Sequence, residues 1–247
     1  MSLPEGLLLL TAGFFAGLVG FVTGLASLVS YPALLAVGLP PVAANVTNTV
    51  ALVGVGAGAL ANSGRDVFSY HRRRLVVWAI CSIVGGLIGA VILLVAPADS
   101  FAAIVPFLVA LAALALLLQP RIRALSRGGD APRAFAVTLL AVSVYGGYFG
   151  AGAGVMFLAA MLLFTSESIV LASIMKSFLL GLSNLVAAIY FAISGPVHWL
   201  PALVMGAGAL VGGYAGPPVV RRVPADLLRW TIAAAGFGLA IWLWISR

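Results

Sequence analysis

The chain is expected to fold as an all-α polytopic membrane protein. It should contain two inverted-topology repeats, each a re-entrant or broken helical hairpin followed by three transmembrane helices. Three observations lead there. Of 247 residues, 63% are hydrophobic and only 8% charged, with mean hydropathy +1.20; an ordinary soluble domain is about 25% charged. Several apolar runs exceed the roughly 20 residues a helix needs to cross a bilayer, and nothing resembles the ~10-residue alternating strands of a barrel. Finally, a pattern of glycines in the first half returns in the second, while the basic loops change place.

Apolar runs and breakers set the elements. Residues 6–39 form a long glycine-rich stretch, read as a hairpin. Helices follow at 42–61, with Pro41 at its start, at 75–95 and at 101–118, the last two separated by "APADS". Residues 119–133, "QPRIRALSRGGDAPR", form a basic linker. The second half repeats the plan, with a hairpin at 134–164 and helices at 168–193, 198–216 and 225–245.

The halves align. "GLVGFVTG" matches "GYFGAGAG", pairing Gly17 with Gly147, Gly20 with Gly150 and Gly24 with Gly154. "AANVTNT" matches "LASIMKS", and "SIVGGLIGA" matches "ALVGGYAG", in the same order and at nearly constant spacing. Each match alone is weak in a chain this rich in glycine; together, in register, they indicate a duplication.

Charge gives orientation. Arg65, Arg72, Arg73 and Arg74 follow the first clear span, whereas the matching loop "SGPVHW" has no Lys or Arg. Arg221 and Arg222 occupy the next loop of the second half, with Arg229 opening the last span, and the matching "APADS" has none. Since cytoplasmic loops carry the excess of Lys and Arg, the halves face opposite ways, which requires an odd number of crossings in each. The glycine-rich stretches then enter and leave from one face, turning near Gly20–Gly24 and Gly150–Gly154. Eleven of the thirteen Lys and Arg residues fall inside, the exceptions being Lys176 and Arg247, and both termini lie outside. The rival is eight full crossings with the N-terminus inside, which leaves Arg221 and Arg222 outside.

The net charge of +7 does not point to nucleic acid, because the basic residues sit in short loops where topology control puts them. "MSLPEGLLLL" lacks the positive n-region of a cleaved signal peptide, so it is read as part of the mature chain. Cys81, the single cysteine, reads as a small packing residue. His71 and His198 fall on opposite faces, so no shared metal site is expected, and no HExxH, Walker A or GxSxG pattern occurs. Neither enzyme chemistry nor a cofactor is expected. Trp78, Trp199, Trp230, Trp242 and Trp244 lie near span ends, as interfacial anchors do. The GG-x-x-G clusters at Gly85, Gly86 and Gly89 and at Gly212, Gly213 and Gly216 read as close-packing sites.

One residue breaks the apolar logic. Lys176 lies eight residues into "SIVLASIMKSFLLGLSNLVAAIYFAI", about 12 Å deep at 1.5 Å per residue. A lysine at a helix centre costs about 2.5–3.5 kcal/mol and is a functional candidate by default. Its counterpart is Asn48, flanked by Thr47 and Thr49; Ser173 and Ser177 lie three residues before and one after the lysine, and Ser173 and Asn184 share its face. No Asp or Glu lies within the apolar part of any span, and the nearest acid in sequence, Glu167, belongs to the preceding loop. Lys176 therefore looks like the counter-ion of a visiting anion. Pairing with Glu167, a neutral proton-carrying amine and a snorkelling side chain are the alternatives. Hairpin tips strengthen the anion reading, because arms of about ten residues reach ~15 Å, roughly mid-bilayer. A half-helix starting there offers N–H groups and a positive dipole end.

Duplicated GxxGxxxG segments, each followed by an A-x-x-T/S helix start, with a GG-x-x-G third helix and a basic middle linker, resemble the TauE/SafE sulfite exporter family over nearly the whole chain. Family members commonly carry a tighter run, GxxGxGGG; here the tips read "GFVTG" and "GAGAG". The resemblance implies transport of small anions, notably sulfite and organosulfonates, across the bacterial inner membrane, usually outward. It carries over to Gly20, Gly24, Gly150 and Gly154 at the tips and to Thr47, Asn48 and Lys176 on the following helices.

The expectation is thus a secondary transporter or exporter of a small anion, alternating access about a midplane site. Lys176, Asn48, Thr47, Thr49, Ser173, Ser177 and the four tip glycines would bind substrate, with Glu167 a possible proton-coupling group. A passive anion channel and a non-transporting membrane scaffold are the other readings.

Overall fold

The computed structural model describes residues 1–68, 70–125, 131–220 and 225–245. The centre of the basic linker and the Arg221–Arg222 pair lie outside the described residues. The described chain is helical throughout: α1 (Leu3–Thr23), α2 (Ser27–Ala36), α3 (Pro41–Phe68), α4 (Arg72–Val95), α5 (Ala98–Leu125), α6 (Pro132–Tyr148), α7 (Ala153–Phe164), α8 (Ile169–Ser194), α9 (Trp199–Val220) and α10 (Ala225–Ile245). Among the described residues, α4, the 98–118 part of α5, the 171–194 part of α8 and also the 3–20 part of α1 are long and apolar enough to cross a membrane. Large apolar side chains cover the outside of the bundle: Ile80, Leu87 and Ile92 on α4, Leu203 and Val211 on α9, and Ile241 on α10 are all exposed.

Two helices outrun their apolar cores. α3 continues through Asn62–Asp66 to Phe68, and α5 continues through Arg121 and Arg123 to Leu125, so the linker begins later than residue 119. Leaving the hydrocarbon does not end a helix, because its backbone bonds remain satisfied internally; hydropathy locates the bilayer rather than the helix terminus. Trp78 also departs from expectation. It is 1% exposed, stacked on Tyr70 at 5.4 Å and edge-on to Phe135 at 4.6 Å, and so belongs to the core rather than an interfacial belt. Trp199, Trp230, Trp242 and Trp244 are exposed.

Both glycine-rich stretches are broken helices with unequal arms, 21 against 10 residues in α1–α2 and 17 against 12 in α6–α7. The first break is at Gly24, whose φ of 77° ends α1 in the left-handed region that favours glycine. The second spans Phe149–Gly152, with Gly152 at φ 83° opening α7. Gly20 and Gly154 thus sit inside helices, and the turns fall at Gly24–Ala26 and 149–152 rather than over both full glycine segments.

Contacts at glycines fix helix directions. Gly13 lies against Met205 and Ala209, Gly17 against Ala209 and Gly213, and Gly208 against Leu10 and Phe14, so residue numbers rise together and α1 runs parallel to α9. Gly54 lies against Gly206 and Leu210, and Gly58 against Leu210 and Tyr214, so α3 also runs parallel to α9. α1 and α3 therefore point the same way, and the chain reverses at the Gly24 break. Gly85 lies against Leu140 and Ser143, and Gly89 against Val144 and Tyr148, which makes α4 parallel to α6. The packing partners largely repeat when α1–α5 are exchanged for α6–α10: α1 on α9 corresponds to α6 on α4, α3 on α9 to α8 on α4, and α5 on α7 to α10 on α2, while α3 meets α8 and α5 meets α10.

These interfaces rely on missing side chains. A Cβ on Gly89 would overlap the Val144 carbonyl, and one on Gly212 the Phe14 carbonyl, as small-residue packing between membrane helices requires. Gly89→Ala and Gly212→Ala are each expected to destabilise the fold by about 1–3 kcal/mol, the usual cost of overpacking, read as a lowered Tm in detergent. Gly238→Ala, where a Cβ meets nothing within 4 Å, should leave Tm unchanged.

Candidate functional site

The two breaks meet. A Cβ on Gly24 would lie 2.6 Å from the Gly154 carbonyl carbon, and one on Gly154 would lie 2.8 Å from the Gly24 carbonyl oxygen, so the tips touch backbone to backbone. α3 and α8 cross beside them, Gly56 against Gly181. Between these four elements lies a cavity of about 70 Å³, room for several water molecules or one small oxyanion. Its walls are mostly glycine and apolar side chains. The polar and charged side chains lining it are Ser27 from α2, Thr49 from α3, and Lys176, Ser177 and Asn184 from α8.

Lys176 is 1% exposed. Its Nζ donates to the Gly20 carbonyl at 3.3 Å, and the same oxygen receives the Gly24 N–H at 3.0 Å. The ammonium thus stands at the C-terminal end of α1, where the helix dipole is negative. That contact offsets part of the cost of burying the charge and ties α8 to the first tip. α2 and α7 both begin at the cavity, so two positive dipole ends face it as well.

The tips are held by side chains from the other half and from their own. Asn48, 1% exposed, donates Nδ2–H to Ser27 Oγ at 3.2 Å, and its buried Oδ1 has no hydrogen-bond partner among the described residues. Asn45 donates to the Tyr148 carbonyl at 2.8 Å, the last residue of α6, and Tyr145 Oη donates to the Ala151 carbonyl at 2.5 Å within the second break. Each half therefore positions the tip of the other: Lys176 on α8 holds the first, Asn45 on α3 the second.

Of the residues singled out from sequence, Lys176, Asn184, Thr49, Ser177, Gly20, Gly24, Gly150 and Gly154 line the cavity. Asn48 reaches it through Ser27. Ser173 does not line it; its carbonyl accepts the Ser177 hydroxyl at 3.0 Å. Thr47 does not line it either, since its Oγ1 accepts the His198 N–H at 3.1 Å at the start of α9. Glu167 is elsewhere, accepting a hydrogen bond from Tyr70 Oη at 2.8 Å between the α3–α4 and α7–α8 connections. Sequence reading did not single out Ser27, Gly56, Gly146 or Gly181. Ser27 follows Gly24 by three residues, and that proximity to a tip glycine was the available signal. Among the described residues no group of His, Cys, Asp or Glu could hold a metal ion.

A multi-pass helical membrane protein whose two broken helices close on a small cavity holding a buried lysine is the class this architecture defines. The chain belongs to the TauE/SafE sulfite exporter family, whose model matches residues 9–243. It is 28% identical to the "Probable membrane transporter protein ORF9" of Sinorhizobium sp. over 94% of this chain and 90% of that one. It is 29% identical to the Escherichia coli "Probable membrane transporter protein YfcA" over 87% and 82%. It is 26% identical to the "Probable membrane transporter protein" of Haemophilus influenzae over 93% of this chain and 91% of that one. No solved structure matches the chain. The protein is a membrane transporter.

Tyr70 registers its neighbours: burial first and the Glu167 carboxylate second raise its pKa, Arg74 opposes them, and the net value is about 12. The folded phenol keeps its proton where an unfolded one, at about 10, loses it, so this group's contribution to stability is lost as pH rises from 10 through about 12. Tyrosinate absorption, taken as wild type minus Tyr70→Phe, is expected to titrate near 12, and Glu167→Gln to lower that midpoint.

Proposed function

We propose that the protein is a secondary transporter of a small anion, sulfite or an organosulfonate, working by alternating access about the cavity between the two breaks. One observation carries the reading: a buried lysine, with no acidic residue among the cavity-lining residues, stands where two helix N-termini converge. Lysine and N-terminal dipole ends both favour negative charge. The family's name supplies the candidate anion. Transporters with inverted repeats hold substrate at such meeting points of discontinuous helices.

The helix directions support two inverted repeats. With α4 returning from α3 across the short Phe68–Arg72 connection, the parallel pairs α1–α9 and α4–α6 set α1 and α6 in opposite directions. In that frame the Arg-rich loops face the cytoplasm, both termini lie outside, and the membrane is the bacterial inner membrane. Rocking of one repeat against the other would open the cavity to each side in turn. An inside-negative potential drives anions outward by ~2.3 kcal/mol per charge per 100 mV, so export needs no coupling ion on this scheme.

In proteoliposomes, wild-type protein is expected to carry labelled sulfite with saturable kinetics. Lys176→Ala should lower flux at least tenfold, since a charge-assisted hydrogen bond is worth about 1.5–3 kcal/mol, with the protein still folded by size exclusion and Tm. Normal sulfite flux in Lys176→Ala would remove the role assigned to the lysine. Epitope tags at either end should be reached by antibody from the periplasmic side of spheroplasts without permeabilisation.

A further inference from the structure

The hydroxyls in the cavity are not equivalent donors. Thr49 Oγ1 donates to the Asn45 carbonyl at 3.0 Å, and Ser177 Oγ donates to the Ser173 carbonyl at 3.0 Å. Each bond runs four residues back along its own helix, as Ser and Thr in helices commonly do. Thr49 and Ser177 are matching positions of the two halves, in "AANVTNT" and "LASIMKS". Both line the cavity, one on α3 and one on α8. A hydroxyl has one hydrogen and two lone pairs. With the hydrogen committed to the backbone, each oxygen can offer the cavity lone pairs only, and neither accepts a bond from a described residue.

A pair of acceptors suits no fully deprotonated, donor-free anion. Lys176 supplies charge and N–H donors, and Asn184 supplies an amide able to act either way, but oxygens placed against Thr49 and Ser177 would meet lone pair with lone pair. We infer that the site takes a small anion that carries its own hydrogen-bond donor: a hydrogen-oxyanion, or a sulfonate bearing a hydroxyl. Its anionic oxygens go to Lys176 and its O–H to Thr49 or Ser177. This rests on the anion-site reading above and narrows it to a substrate class.

The test uses two isosteric monoanions, hydroxymethanesulfonate and ethanesulfonate, which differ by O–H against CH₃. Binding to the intact detergent-solubilised protein is measured by thermal shift and by competition with labelled sulfite in proteoliposomes. Hydroxymethanesulfonate is expected to bind about five- to tenfold tighter, the ratio one satisfied hydrogen bond supplies. In Thr49→Val/Ser177→Ala the ratio should collapse towards one. Equal affinity of the two probes for the wild type would overturn donor matching and leave the anion site standing, and that comparison needs no variant to fold. A preference surviving in the folded double variant would overturn the assignment to these two hydroxyls. Binding of neither probe, together with no binding of sulfite, would overturn the anion site and this inference with it.

Discussion

Gly24 and Gly154 leave no space between the two breaks for even a methyl group. That single contact decides much of the rest. Two broken helices carry open backbone into the middle of the bundle, where polar groups without partners are costly. They can do so only because each tip is buried against the other and clamped by side chains such as Asn45, Tyr145 and Lys176. A Cβ at either glycine would separate the tips, widen the cavity and uncouple the α1 carboxyl end from the ammonium that stands on it. Close backbone approach, rather than a large apolar core, is what makes the polar centre tenable. The α1–α9 and α4–α6 interfaces follow the same rule further out, with glycines set into the neighbouring helix's carbonyls.

The lysine is stabilised in two ways at once. The Gly20 carbonyl and the negative end of α1 offset part of its burial within the protein itself. That makes Lys176 a structural element of the first tip as well as the charge in the cavity. Under the proposed function, a group with both roles would couple ligand to conformation: an anion drawing the ammonium away from Gly20 would loosen the hold of α8 on the α1–α2 break. The tip and the site would then respond together, a differential interaction of the kind a conformational change requires.

Much of this was legible in the sequence, for identifiable reasons. Breaks show as glycine clusters because only glycine reaches positive φ readily, and an intramembrane lysine shows because nearly every neighbour is apolar. Face-sharing along a helix put Asn184 with Lys176, and Ser173 as well, but the cavity takes Asn184 and the adjacent Ser177 and leaves Ser173 out. What periodicity cannot give is the partner across the bundle. Thr47 and Thr49 read alike on paper, yet α3 turns Thr49 to the cavity and Thr47 to the start of α9. Glu167 lies near Lys176 in sequence but is drawn to Tyr70 by the packing of two connections. Ser27 was missed because a serine three residues past a glycine carries no pattern of its own. Trp78 misled because position near a span end says nothing about which way the ring points. Helix ends were misplaced because hydropathy marks where lipid stops, and α3 and α5 continue beyond it.

The two halves correspond in their packing partners but not in their chemistry at the site. Exchange of the halves pairs Thr49 with Ser177, each hydroxyl bonded back to its own helix at 3.0 Å. It pairs Asn48 with Lys176, both 1% exposed and both attached to the first tip region, one through Ser27 and one through Gly20. A second lysine at position 48, which reaches the cavity through Ser27, would bury a like charge at the same tip region, and like charges buried together are strongly disfavoured. Two asparagines would leave the cavity without its lysine charge. One of each gives the cavity a single cation and an amide that fixes a serine, while the framework around them keeps its near two-fold packing. The fold can therefore keep corresponding packing partners for its scaffold and reserve chemical asymmetry for one pair of positions.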